Sequence, residues 1–142
     1  MDKVVKVPYR VIYGDTDCGG VVYYAHYLRL FEIGRTELLR QNGLTYRQIE
    51  REKGLILPVV ESYVRYRSPA RYDDVLEIEA KIVALHRFKV RFDYVIYREE
   101  KPIVYGFTVH APINKEGRLV KFPDDVYHHL EGLLVSSDFE NQ

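Results

Sequence analysis

One amphipathic stretch, standing between a single strand-like run and four more, constrains this chain most. Over residues 22–41, Tyr24, Tyr27, Leu28, Phe31, Leu38 and Leu39 fall on one stripe at helical spacing, while Arg29, Glu32, Glu37 and Arg40 lie largely off it. Asn42-Gly43 supplies the stop, because glycine takes the left-handed cap conformation. A helix with one apolar stripe must bury it against another layer. The chain provides that layer as strands. Residues 4–13 are rich in β-branched and aromatic side chains and read as a first strand, with Pro8 favouring an edge or a start. Residues 56–67, 75–85, 87–98 and 103–113 read as four more, parted by turn residues at Asp73-Asp74 and from Arg98 to Pro102. In 87–97, Phe88, Val90, Phe92, Tyr94 and Ile96 alternate with Arg87, Lys89, Arg91 and Asp93, the pattern of a sheet with one buried and one polar face. Consecutive strands with short connections pair antiparallel. The expectation is an α+β fold, an antiparallel sheet curling around one long central helix.

Smaller signals fill in the rest. Thr45, with Gln48 three residues on, predicts a capped second helix to about Lys53. Asn114-Lys115-Glu116-Gly117 is a hairpin-like turn, and Pro123-Asp124-Asp125 opens a last helix over 124–134. A single domain over 1–135 and a frayed tail over 136–142 are expected, since 142 residues suffice for one buried core.

Charge and cysteine content narrow the function classes. Lys+Arg and Asp+Glu both number 21, so the net charge is zero, which argues against broad nucleic-acid binding and offers little opposition to self-association. Cys18 is the only cysteine, so no disulfide forms within the chain; this fits a reducing cytoplasm. The start resembles no signal peptide, and no run approaches the ~20 apolar residues of a membrane helix.

The segment from Tyr13 to Tyr24 concentrates the chemistry. It sets Asp15 and Asp17, then Gly19 and Gly20, directly before the helix. Glycines let the backbone turn sharply and let a ligand approach, and the amides opening a helix lack internal partners at the positive end of its dipole. Such amides can hold a carbonyl oxygen as it gains charge, while a nearby carboxylate activates water or attacks the carbon. These are the parts of acyl-group hydrolysis. The bland reading of Asp17 is a turn residue or cap. Asp15-x-Asp17 is no calcium loop, because the fifth and twelfth positions are Gly19 and His26. Neighbouring His128 and His129 do not share a helix face, and no metal site is expected.

The run Asp15-Thr16-Asp17-Cys18-Gly19-Gly20-Val21-Val22-Tyr23-Tyr24, followed by Tyr27, Phe31-Glu32 and Arg35, resembles the opening motif of the 4-hydroxybenzoyl-CoA thioesterase family. The similarity extends through Pro58-Val59-Val60 and from Tyr66 to Leu76, ends near Phe122-Pro123, and lies closest to the YbgC-type, Tol–Pal-associated acyl-CoA thioesterases. The resemblance implies the hotdog fold and hydrolysis of an acyl-CoA to free acid and CoA. It implies Asp17 as the catalytic carboxylate, as base or nucleophile, and the amide of Tyr24 as the group polarising the thioester carbonyl. It also implies pairing through sheets, commonly as tetramers, with sites between subunits. By resemblance, Arg87 or Lys89, and Arg118, match phosphate-contacting positions, and arginine suits phosphate through its planar fork. Gly19, Gly20 and Tyr23 complete the substrate-binding set, with Tyr23, Tyr24 and Tyr27 as candidate walls for the acyl group. Tyr24 departs from the YbgC-type pattern, which usually has histidine there; a phenol does not shuttle protons near neutrality. Glu32 and Arg35 read as an intrahelical ion pair kept for structure. No cofactor is expected beyond the CoA of the substrate. Acyl carrier protein is a further candidate partner. The rival readings are an acyl-CoA or acyl-carrier binding module without catalysis and, ranked lower, a hotdog hydratase.

Overall fold

The computed structural model describes residues 2–137. Five strands, β1 (Val5–Arg10), β2 (Val59–Tyr66), β3 (Val75–His86), β4 (Lys89–Arg98) and β5 (Lys101–His110), form one antiparallel sheet in the order β1-β3-β4-β5-β2. Three helices, α1 (His26–Gln41), α2 (Tyr46–Lys53) and α3 (Asp124–Glu131), complete the described elements. The sheet closes over α1, so the architecture is the expected α+β hotdog.

The core forms where α1 meets the inner sheet face. Leu30, Phe31, Leu38 and Leu39 are buried there against Leu76, Ile78, Ala80 and Ile82 of β3 and Val90, Phe92, Tyr94 and Ile96 of β4. Phe31 lies flat on Tyr94, centroids 4.3 Å apart and rings inclined by 3°. Glycine permits this approach. A Cβ at Gly106 of β5 would stand 2.4 Å from the Phe31 ring and 2.6 Å from the Tyr63 carbonyl oxygen. On the helix side, a Cβ at Gly34 would stand 2.9 Å from Ile78.

A polar seam crosses the same core. The Tyr94 and Thr108 hydroxyls are 2.6 Å apart, Thr108 Oγ1 is 2.9 Å from His110 Nε2, and His110 Nδ1 is 3.0 Å from the Leu57 carbonyl oxygen. Burial, with Arg35 adding repulsion, brings the His110 pKa down to about 4, opposed by its bond to Leu57. The imidazole is therefore neutral in the folded protein at neutral pH.

Several expectations need correction. α1 begins at His26, not near 22, because Val21 and Val22 pair in sheet fashion with Arg71 and Thr16. The first strand stops at Arg10, where the chain bends into a 3-10 turn over Tyr13–Asp15. Phe88 falls in the β3–β4 hairpin and is exposed rather than in the core. Asp93 belongs to the outer face yet is 1% exposed, held by Arg91 Nε at 2.8 Å and by the Ser137 hydroxyl at 2.6 Å. Ser137 was read as part of a frayed tail; the chain there follows β3, with the Val135 amide donating to Ile82. Residues 138–142 of that tail lie outside the described residues. The last helix ends at Glu131, not 134. The capping box at Thr45 and Gln48 and the Asn114–Gly117 turn form as read. Among the described residues no helix is long and apolar enough to cross a membrane.

Two measurements check this packing. Gly106→Ala is expected to cost about 1–3 kcal/mol in urea unfolding, since the added methyl forces Phe31 off Tyr94. Because folded His110 binds its proton only near pH 4 while the unfolded side chain binds it near 6.5, stability falls as pH drops across that window. The loss between pH 7 and pH 4 is on the order of 2–3 kcal/mol, and His110→Asn removes that part of the slope.

Candidate active site

The candidate site is a tight turn fixed from below. Asp15, 3% exposed, accepts hydrogen bonds from the Tyr9 hydroxyl of β1 (2.8 Å), the Ile12 amide (3.0 Å) and the Arg29 guanidinium of α1 (2.6 Å). Burial pushes its pKa up, but these three donors outweigh burial and hold the carboxyl below the usual range. Asp15 thereby ties strand, turn and helix together. Its own carbonyl takes the Tyr23 amide at 2.8 Å. Between those points the chain doubles back: the Asp17 amide donates to Val21 at 2.9 Å, and the Gly20 amide to the Asp17 carbonyl at 3.0 Å. Gly20 sits at φ +79°, a left-handed conformation that side chains resist.

Asp17 stands exposed at the tip of this turn. Its Oδ1 accepts the Gly19 amide at 2.8 Å, which fixes the side chain and leaves Oδ2 without a partner among the described residues. After the turn the chain enters α1 through Tyr23, Tyr24 and Ala25. The amides of His26 and Tyr27 close short turns onto the carbonyls of Tyr23 and Tyr24, whereas the amides of Tyr24 and Ala25 have no backbone acceptor among the described residues. The Tyr24 amide therefore precedes the helix by two residues rather than opening its first turn. It remains a free donor at the positive end of α1.

Aromatic side chains frame this donor. The Tyr23 and Tyr24 rings are 4.7 Å apart, and the Tyr66 hydroxyl of β2 donates to the Tyr24 carbonyl at 3.2 Å. The neighbouring Tyr24 phenol raises the pKa of the Tyr23 phenol, with burial and then the Asp17 charge adding less. Tyr24, Tyr27 and Tyr66 line a cavity of about 280 Å³ with Val22 and Pro69. Asp17 lies outside that lining, at the rim of the turn. His26 Nε2 stands 3.3 Å from the Gly14 carbonyl and steadies the helix entry.

Asp17, Gly19, Gly20, Tyr23 and Tyr24 are thus brought together on one loop, while the three cations read as phosphate contacts lie on other segments. Arg87 sits in the β3–β4 hairpin, not on the strand, and is engaged by Asp124 at 2.8 Å and by the Tyr127 ring at 4.0 Å. Lys89 is exposed at the first residue of β4, and Arg118 is exposed beyond the Asn114 turn. Tyr66 opens the run to Leu76 that resembles the family, yet nothing in its spacing shows that it reaches Tyr24. The support that Asp15 receives from Tyr9 and Arg29 was equally hidden, since the three come from separate elements.

Comparison with known proteins places this geometry in a family. Residues 11–130 match the family described as the thioesterase-like superfamily. The chain is 33% identical over 136 residues to the acyl-CoA thioesterase YbgC of Haemophilus influenzae, covering 92% of this chain and 99% of the relative. It is 33% identical over 111 residues to a 1,4-dihydroxy-2-naphthoyl-CoA hydrolase of Synechococcus elongatus, covering 77% of this chain and 82% of the relative. A crystal structure of a hypothetical protein from Thermus thermophilus superposes with a TM-score of 0.87 at 31% identity, covering 94% of this chain and 99% of that one.

Loosening the Asp15 tie tests the described support directly. Asp15→Asn is expected to lower unfolding stability by about 1–3 kcal/mol, since a buried carboxylate held by three donors loses its charge. Solvent exchange of the Tyr23 amide should quicken in the same variant. Fold, turn and sequence agree: the chain belongs to the thioesterase-like superfamily, is related to its YbgC-type members, and is an enzyme of the hydrolase class.

Proposed function

We propose that the protein hydrolyses acyl-CoA thioesters to a free acid and CoA at the Asp17 turn. One observation carries this reading: a fixed carboxylate with an open oxygen stands on the loop that leads directly to an unpaired amide at the head of α1. The thioester carbonyl oxygen accepts from the Tyr24 amide, which stabilises the charge gained as the carbon becomes tetrahedral. Asp17 takes a proton from water as it adds to that carbon, or adds to the carbon itself, with water then cleaving the acyl-enzyme anhydride. The C–S bond breaks, CoA leaves as the thiolate and is protonated, and the acid departs. The reaction as drawn uses no metal or redox group. Lys89 and Arg118 are the cations free to meet the CoA phosphates. Arg87 reaches them only by leaving Asp124. A thioester on an acyl carrier protein offers the same reacting atoms, and a cytoplasmic setting suits either substrate.

The site also calls for a second subunit. Asp17 is exposed, and a carboxylate bathed in water is a weak base and nucleophile. β2 has one unpaired edge and presents Val59, Val60, Tyr63 and Tyr66 to solvent. Long exposed edges of this kind pair with another strand. Two copies joined there would cover the Tyr24 cavity, and pairing of such dimers through their sheets would give the tetramer.

Asp17→Asn is expected to lower kcat about 10²–10⁴-fold on a responsive acyl-CoA, followed by thiol release, with little change in stability. Tyr24→Phe keeps the backbone donor and is expected to stay within a few-fold of the parent. Near-normal turnover by the Asp17 variant would end the assignment. Tight acyl-CoA binding without thiol release would instead mark a binding module.

A further inference from the structure

Three openings lie in series along one side of α1. The first is the Tyr24 cavity. The second, about 300 Å³, lies between Leu28 and Glu32 of α1, Val59 and Ser62 of β2, and Thr108 of β5. The third, about 380 Å³, lies between Glu32 and Arg35 of α1, Tyr46 of α2 and Leu57. Glu32 and Arg35 line both of the latter. Leu28, Glu32 and Arg35 follow one another on α1 at intervals of four and three, so they share a face, and Tyr24 stands just ahead of the helix start. β2 runs beside that face in the opposite sense, with Tyr66 at Tyr24, Ser62 near Leu28 and Val59 near Arg35. The openings therefore follow α1 from its start at His26 to Arg35, an axial distance of about 14 Å at the helical rise per residue.

At the far end of this groove stands a buried cation, Arg35, whose carboxylate partner lies mostly in solvent. The Arg35 side chain is only 10% exposed, and its carboxylate partner Glu32, 3.6 Å away, is 66% exposed. The other groups about the guanidinium are the hydroxyls of Tyr94 and Tyr46 and the neutral ring of His110. The Tyr46 hydroxyl is fully buried and has no partner in hydrogen-bond geometry among the described residues. Burial disfavours the guanidinium charge, but Tyr94, Tyr46 and Glu32 outweigh it and hold the pKa above its usual value, so Arg35 stays charged there. A carboxylate in the third cavity would meet the guanidinium through two parallel hydrogen bonds and offer an acceptor to Tyr46.

We infer that the groove between α1 and β2 holds the acyl group, and that Arg35 with Tyr46 recognises a carboxylate at its far end, so that the substrates are CoA monothioesters of dicarboxylic acids. The inference rests on the thioesterase reading for the position of the thioester. Arg35 lines both the second and the third opening, so the span to be bridged falls short of the full groove, which favours an intermediate chain length. Glu32, at the rim, repels the same carboxylate and tempers the preference.

The test compares kcat/KM of the full-length protein for adipyl-, suberyl- and sebacyl-CoA with hexanoyl-, octanoyl- and decanoyl-CoA. At the best length the carboxyl-terminated thioester is expected to lead its methyl-terminated partner at least tenfold. Tyr46→Phe should lower that ratio several-fold, Glu32→Gln should raise it, and Arg35→Gln should erase it. If Arg35→Gln does not fold, the Tyr46 and Glu32 variants carry the test. A ratio of one or less at every length overturns the inference while leaving the hydrolase standing. If no thioester is cleaved, the hydrolase reading fails, and melting temperatures decide the subsite alone. A larger rise with suberyl-CoA than with octanoyl-CoA, lost in Tyr46→Phe, supports it, and equal rises overturn it.

Discussion

The flat contact of Phe31 on Tyr94, made possible by the bare backbone of Gly106, sets how close the central helix stands to the sheet. The position of the helix start follows from that height. Tyr27 and Leu30 are buried just before the contact, so the turn carrying Tyr24 is carried to a defined place above β2. Asp15 fixes the same region from the other side by joining Tyr9, Ile12 and Arg29. An apolar clamp and a charged clamp together make a loop of small residues stiff enough to present one carboxylate and one free amide.

Much of this was legible in the sequence. The helical stripe named six residues, of which Tyr27, Phe31, Leu38 and Leu39 are buried while Tyr24 and Leu28 face solvent. The alternation in β4 placed Val90, Phe92, Tyr94 and Ile96 in the core. The two glycines after Asp17 announced the turn. What escaped was whatever depends on partners distant in sequence. Strand order is one such case: β1 pairs with β3 and β2 with β5, which no local pattern encodes. The late start of α1 is another, because Val21 and Val22 suit a helix stripe until Thr16 and Arg71 claim them. Asp93 reads as a surface residue until the chain beyond α3 returns over it. Arg35 reads as half of a surface ion pair, and only the packing of α2 and Leu57 buries it.

The distribution of polar groups separates two tasks. The seam from Tyr94 through Thr108 and His110 to Leu57 is satisfied within the fold and fixes β5 against the segment leading into β2. The groups beside the groove are less complete: Tyr46 lacks a partner, Arg35 has a distant one, and Tyr24 keeps an unused amide. A zero net charge offers no long-range steering of an anionic CoA. One enzyme relative is named for acyl-CoA in general and the other for 1,4-dihydroxy-2-naphthoyl-CoA, so membership of the family does not fix the acyl group.

The central claim is geometric, and a crystal structure with a non-cleavable acyl-CoA, the thioester replaced by a methylene ketone, tests it most directly. The account predicts the ketone oxygen within hydrogen-bonding distance of the Tyr24 amide and an Asp17 oxygen facing the ketone carbon. A ketone seated elsewhere, with the Asp17 carboxylate turned to bulk water in the assembled oligomer, would contradict it.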